Sequence, residues 1–302
     1  MHIMTCFEVP INSFGAYCIL FKTHKKMESV KWPMLILHLI CFFQDVWFSF
    51  FTTPYLQFPF LSGVSLGFWS MCAAQFIGNT ILLGQSGAGI LMIFENRFHI
   101  LYAKNSFWFK IRIPYVLLNF LLAPALLLPK LLQVPEQYFA IQSVKEKIHC
   151  HLDSNTFVFS LDRAHFFLLV IIIGGIETIL SVVFLTILMA KMTISGRKGS
   201  AVSVKTQDIQ RKFVIALSLQ TLIPAVLLLF PVVYCTLAHF FDYYNQAMNN
   251  LMVCFWSAHG VLSTVIMIIV HQPYRDFVSG PVHRLIGARI EPKRHESMQT
   301  VV

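Results

Sequence analysis

Three ionisable residues, Asp45, Glu177 and His259, each lie some eleven to fifteen residues into a long apolar run. If those runs cross a bilayer, each group sits near its middle. An ionisable side chain costs about 2.5–3.5 kcal/mol there on insertion scales, so it faces a polar interior rather than lipid. Two uses fit such groups equally: ligand contact or switching, and structural hydrogen bonding among helices. A proton relay through all three fits less well, because no internal repeat or pair of broken helices accompanies them. The amides Gln75, Asn79 and Gln220 join them as candidates for a ligand pocket. Catalysis has no such footing: the sequence contains no nucleophile elbow, phosphate-binding glycine loop or H-E-x-x-H motif, and no cofactor is implied. His149-Cys150-His151 with Asp153 has the composition of a metal site, but neighbours in sequence rarely converge on one ion.

Long apolar segments must position these residues. The chain of 302 residues is 56% hydrophobic and 12% charged, with 29 Phe, which is too apolar for a soluble domain. It reads as an all-α protein embedded in the lipid bilayer. The formal charge of +9 does not point to nucleic acid, because the basic residues fall in short clusters between apolar runs.

The organising stretch is 72–97. As a helix rising about 1.5 Å per residue it measures about 39 Å, longer than the ~30 Å hydrocarbon slab. Gly78, Gly84, Gly87 and Gly89 permit close approach, and Gln75, Asn79 and Gln85 supply interhelical hydrogen bonds, so the helix is expected to be surrounded by others. Around it the hydropathy gives a seven-helix bundle with spans near 1–21, 32–53, 70–94, 113–132, 166–190, 213–239 and 247–270. These form one membrane domain over 1–277, followed by a polar tail over 278–302. The first span is short of polar-free residues and is expected to lack its outer turn; a cleaved signal peptide is disfavoured because the Lys cluster follows the apolar run.

Orientation follows from the cations. The connections after spans one, three and five and the tail carry four, four, six and five Lys or Arg, 19 of the 23 in the chain. By the positive-inside bias the amino terminus lies outside and the carboxyl terminus in the cytoplasm. Cys72 and Cys150 then share the oxidising side. A disulfide between them would pin the long 133–165 connection over the bundle mouth, worth up to about 4–5 kcal/mol by chain entropy; two free thiols are the plainer alternative. Cys18, Cys41, Cys235 and Cys254 read as packing residues.

On the cytoplasmic side, Glu95-Asn96-Arg97 closes the central helix. Arg97 is either held by Glu95 or another acid and freed toward a partner when helices move, or is part of an ordinary stop-transfer pair. The basic connection that ends in Arg211 and Lys212 adds to the same face. Pro224 and Pro231 make the sixth span a kinked lever, since each proline removes a backbone bond.

Several stretches resemble the nematode serpentine receptor class H, a family of seven-transmembrane G-protein-coupled chemoreceptors. The likeness runs through Gln210-Arg211-Lys212-Phe213, Ala216, Gln220 and Pro224, through YYNQAMNN over 243–250, and to HGVLSTVIMIIVHQPYR over 259–275. FGAYCILFKT, VKWPML and FENRF extend it, so that it covers residues 12–277. The resemblance implies an outward pocket for a small-molecule cue, a heterotrimeric G protein as partner, and residence in the plasma membrane, at the sensory cilium of chemosensory neurons. It gives Arg97 the coupling role of the arginine that ends the third helix, with Glu95, Asn96, Arg211 and Lys212 beside it. It also sets His271, Pro273, Tyr274 and Arg275 where the seventh helix turns into the tail. Glu-Asn-Arg departs from the Asp-Arg-Tyr of rhodopsin-like receptors, so their ionic lock does not transfer directly. The family also carries more chain before its first span, which implies a truncated start. A ligand-gated channel or transporter with its amino terminus inside is the alternative function, and a truncated, non-functional receptor product is the second.

Overall fold

The computed structural model describes residues 1–69, 72–104, 106–148, 155–197 and 204–280. Among them, seven helices are long and apolar enough to cross a bilayer. They are α1 (His2–Phe21), α2 (Glu28–Val46), α3 (Ala73–Phe98), α4 (Trp108–Leu127), α6 (Arg163–Arg197), α7 (Val204–Phe240) and α8 (Gln246–Val270). Helix α1 uses 20 residues, about 30 Å, which matches the hydrocarbon slab. Helix α3 is the most buried of the seven and packs against α2, α4 and α6, as its small residues required. Large apolar side chains such as Leu118, Leu121, Ile179 and Val226 are exposed, as lipid-facing positions are.

Helices α6 and α7 run past the expected span ends, to Arg197 and back from Val204, so most of the basic connection is helical. The connection contributes charge without breaking the helix, because Lys and Arg are good helix formers. Helix α4 likewise begins at Trp108, ahead of Arg112, because Arg112 turns inward to an acid and not out to water.

The connections toward one end of the bundle hold the rest of the structure. Strand β1 (Pro54–Leu56) and strand β2 (Leu61–Ser65) form a hairpin, and strand β3 (Phe157–Ser160) joins it in a three-stranded antiparallel sheet ordered β1-β2-β3. Gly63 is needed here, since a Cβ would lie 2.6 Å from the Tyr55 carbonyl oxygen. Helix α5 (Gln137–Ile148) precedes β3 and is tied to it by Gln137, whose side chain makes both hydrogen bonds to the backbone of Val158.

The core has two main parts, besides a small cluster of Phe60, Ala140, Val144 and Val158 where α5 packs on the sheet. Toward the sheet it is aromatic, around Phe48, Phe76, Phe159 and Trp256. Toward the other end it is aliphatic, around Ile19, Leu91, Leu188 and Met267, and it closes on Tyr274.

Candidate functional site

A polar knot sits between α1, α2 and α8. Asp45, fully buried, accepts hydrogen bonds from Asn12 Nδ2 at 3.2 Å and from the Gly260 amide at 3.0 Å. His259 Nδ1 lies 3.3 Å from the same carboxyl group and also donates to the Trp256 carbonyl. Thr264 donates to Asn12 Oδ1 at 2.6 Å, and His38 Nε2 reaches the Asn12 carbonyl at 2.8 Å. Glycine at 260 lets the carboxyl group reach the helix backbone, because a Cβ there would collide with both Asp45 oxygens. Two of the three mid-span ionisable residues are thus partners in one helix-to-helix network.

A turn or so along α1, Glu8 is also buried. It accepts from Ser49 and, at 3.5 Å, from Ser257. Its one legible signal was a carboxyl group inside an apolar stretch.

The cavity lies on the other side of α3, in two neighbouring chambers. The one nearer the sheet is about 50 Å³ and is walled by Phe48, Phe58, Phe76, Phe166, Phe167 and Trp256. The sheet caps it, and two side chains of α8 hold the cap: Gln246 donates to the Leu56 carbonyl and Asn249 to the Phe58 carbonyl, both at 2.9 Å. The conspicuous YYNQAMNN stretch therefore starts α8, where Asn245 accepts from the Met248 amide as N-cap, and fastens the cap. The deeper chamber, about 220 Å³, lies between α3, α6 and α7. Thr80, Leu83, Val170 and Val232 line both.

Of the pocket candidates, Asn79 and Glu177 line this cavity. Asn79 Oδ1 takes the Trp47 indole N–H at 2.7 Å. Gln75 is buried at the start of α3, outside both chambers. Gln220 lies toward the opposite end, where its carbonyl oxygen meets His271 Nε2. The aromatic wall went unrecognised in the sequence, because 29 phenylalanines spread over the segments leave no pattern to single out these five.

At the end away from the sheet, Glu95 does not hold Arg97. Its carboxyl group accepts from the Trp108 indole at 2.8 Å and pairs with Arg112 at 3.2 Å, both on α4. Asn96 binds the Ser29 carbonyl and Arg112. The reason is helical geometry: residues two apart point to different faces, so Glu95 and Arg97 cannot share a direction. Arg97 is buried and turns toward His271. Burial first, and then the Arg97 guanidinium, push the His271 imidazole down to about 4, so it stays neutral at physiological pH. Tyr274, wholly buried, shares a 2.8 Å hydrogen bond with Thr23 after α1. Residues 272–280 continue as a helix, with Pro273 in its first turn and the Arg275 guanidinium on the Ile269 carbonyl. Arg211 and Lys212 are exposed on α7. Pro224 and Pro231 both lie inside an unbroken α7, leaving the Gln220 and Leu227 carbonyls without a helical donor.

Cys72 stands as the N-cap of α3, exposed and with a free thiol, whereas Cys150 lies outside the described residues.

The family described as Serpentine type 7TM GPCR chemoreceptor Srh matches residues 1–284. Serpentine receptor class H-72 of Caenorhabditis elegans is 26% identical over 317 aligned positions, covering 98% of this chain and 88% of that protein. The crystal structure of squid rhodopsin superposes with a TM-score of 0.53 at 13% identity, covering 97% of this chain and 86% of that one, which is a likeness of fold. With the match reaching from the first residue into the helix after α8 and beyond, the chain belongs to the class H serpentine receptors, a family of seven-transmembrane chemoreceptors.

Proposed function

We propose that the protein is a chemosensory receptor that binds a small molecule in the chambers beneath the sheet and signals to a heterotrimeric G protein. The observation that carries this reading is the cavity between α3, α6 and α7, aromatic toward the sheet and open between α6 and α7, where Val182, Leu222 and Val226 line it and are exposed. A ligand there shifts the helix arrangement only by its differential affinity for two states. The opposite end holds Arg97 and the Glu95–Arg112 pair buried beneath a surface that carries the exposed Arg211 and Lys212 on α7, and that surface is the docking site for the G protein. The distribution of Lys and Arg supports an outside amino terminus and a cytoplasmic tail, in the plasma membrane and, by family, at the sensory cilium.

The test is a ligand screen in cells with a G-protein readout. Arg97→Ala is expected to lower signalling at least tenfold, about 1.4 kcal/mol, while ligand binding persists. Unchanged signalling removes Arg97 from the coupling site, and ligand-gated current without a G protein overturns the receptor reading. Orientation has its own check. An amino-terminal tag should be labelled on intact cells and a carboxyl-terminal tag only after permeabilisation; the reverse pattern rejects the topology. Peptide mapping without reductant decides the proposed Cys72–Cys150 bridge.

A further inference from the structure

One carboxyl group in the deeper chamber has no donor to meet it. Glu177 is 4% exposed, and α6 sends its side chain across to α3, where the carboxyl group lies against Gly87. Only glycine permits that approach, since a Cβ at 87 would collide with Glu177 Oε2. Among the described residues, none donates a hydrogen bond to Glu177 Oε1, and no Lys, Arg or His lines the chamber. Of the five hydroxyls that line the chamber, three are committed within their own helices, Thr80 to the Phe76 carbonyl, Ser218 to Val214 and Thr221 to Leu217, while Thr178 and Ser181 stand beside Glu177 on α6 without bonding its Oε1. The remaining wall is apolar, with Leu83, Phe94, Ile173, Ala225 and Leu229 among its residues. A volume of about 220 Å³ corresponds to on the order of fifteen water-sized units.

Buried carboxyl groups are paired, because an unpaired one sacrifices its hydration for nothing. The complement missing here is a donor attached to an apolar body. A charge-assisted N–H bond is about twice as strong as a neutral one, so an ammonium answers a carboxylate better than a hydroxyl does. We propose that the deeper chamber binds small apolar amines, with the nitrogen donating to Glu177 Oε1 and the hydrocarbon body lying along α3 and α7. This deepens the receptor reading by naming a ligand class, and it depends on that reading for its biological role but not for its test.

The test is thermal unfolding of the full chain in lipid nanodiscs, titrated with phenylbutylamine and with phenylbutanol, its neutral counterpart of the same shape. The wild type is expected to bind the amine at least tenfold more tightly than the alcohol, and Glu177→Gln to erase that preference while folding normally. Ala225→Phe, which fills the chamber, should abolish stabilisation by both. Equal affinities in the wild type, a preference that survives Glu177→Gln, or no stabilisation by the amine would each overturn the proposal. Since the readout is binding, amine binding without G-protein signalling would keep this inference and reject the receptor reading. Signalling by neutral compounds with no amine binding would do the opposite.

Discussion

Asp45→Leu is expected to leave little folded protein at the cell surface. The substitution strips the carboxyl group from Asn12 Nδ2, the Gly260 amide and His259 at once, all of them buried. Removing one member of a buried charged network typically costs about 3–5 kcal/mol, because its partners keep their desolvation penalty. Hydrogen bonds between membrane helices average only about 0.6 kcal/mol in double-mutant cycles, so the orphaned partners, not the lost bonds, dominate. Against a total stability of about 5–15 kcal/mol that is a large share. Asp45→Asn keeps the shape and one acceptor and should cost about 1 kcal/mol. Gly260→Ala should act in the same direction as Asp45→Leu, by expelling the carboxyl group from the backbone of α8. Thermal unfolding in detergent, with surface labelling, measures all three. An Asp45→Leu protein as stable as wild type would show that the knot holds nothing together.

The second large effect concerns Glu95, which is wholly buried and paired with Arg112. Arg112→Ala leaves Glu95 with the Trp108 indole as its remaining donor and should destabilise by about 2 kcal/mol, below the fully buried range because the arginine side chain is 23% exposed. Glu95→Gln in the same protein should restore part of the loss, so the cycle shows a coupling of about 1–2 kcal/mol. Arg97→Ala combined with Glu95→Gln should instead be additive, since the two point to different faces. Additivity for the 95–112 cycle and coupling for the 95–97 cycle would return the acid to Arg97 and refute the geometry found here.

The bundle itself was legible in the sequence, because hydropathy reports on lipid contact and seven apolar runs are hard to mistake. The burial of α3 was legible for the same reason, through its glycines and amides. Partnerships across helices were not. Asp45 and His259 are 214 positions apart, and nothing in a one-dimensional pattern brings them to one carboxyl group while sending Glu177 to a separate chamber. The partner of Glu95 was not legible either, because Arg112 lies 17 positions downstream on another helix. The sheet over the aromatic chamber was also missed: its strands are three to five residues long, its first two contain Pro54 and Gly63, and its third comes from a connection about 90 residues downstream.

The cap's attachment has a mechanical consequence. Gln246 and Asn249 fasten the hairpin to the first turn of α8, and 25 residues later the same helix ends at His271, which grips α7 through Gln220. A stiff element about 37 Å long therefore joins the doorway to the far face. A force that pulls the sheet away from α8 is therefore borne by the same strut that His271 anchors at its far end.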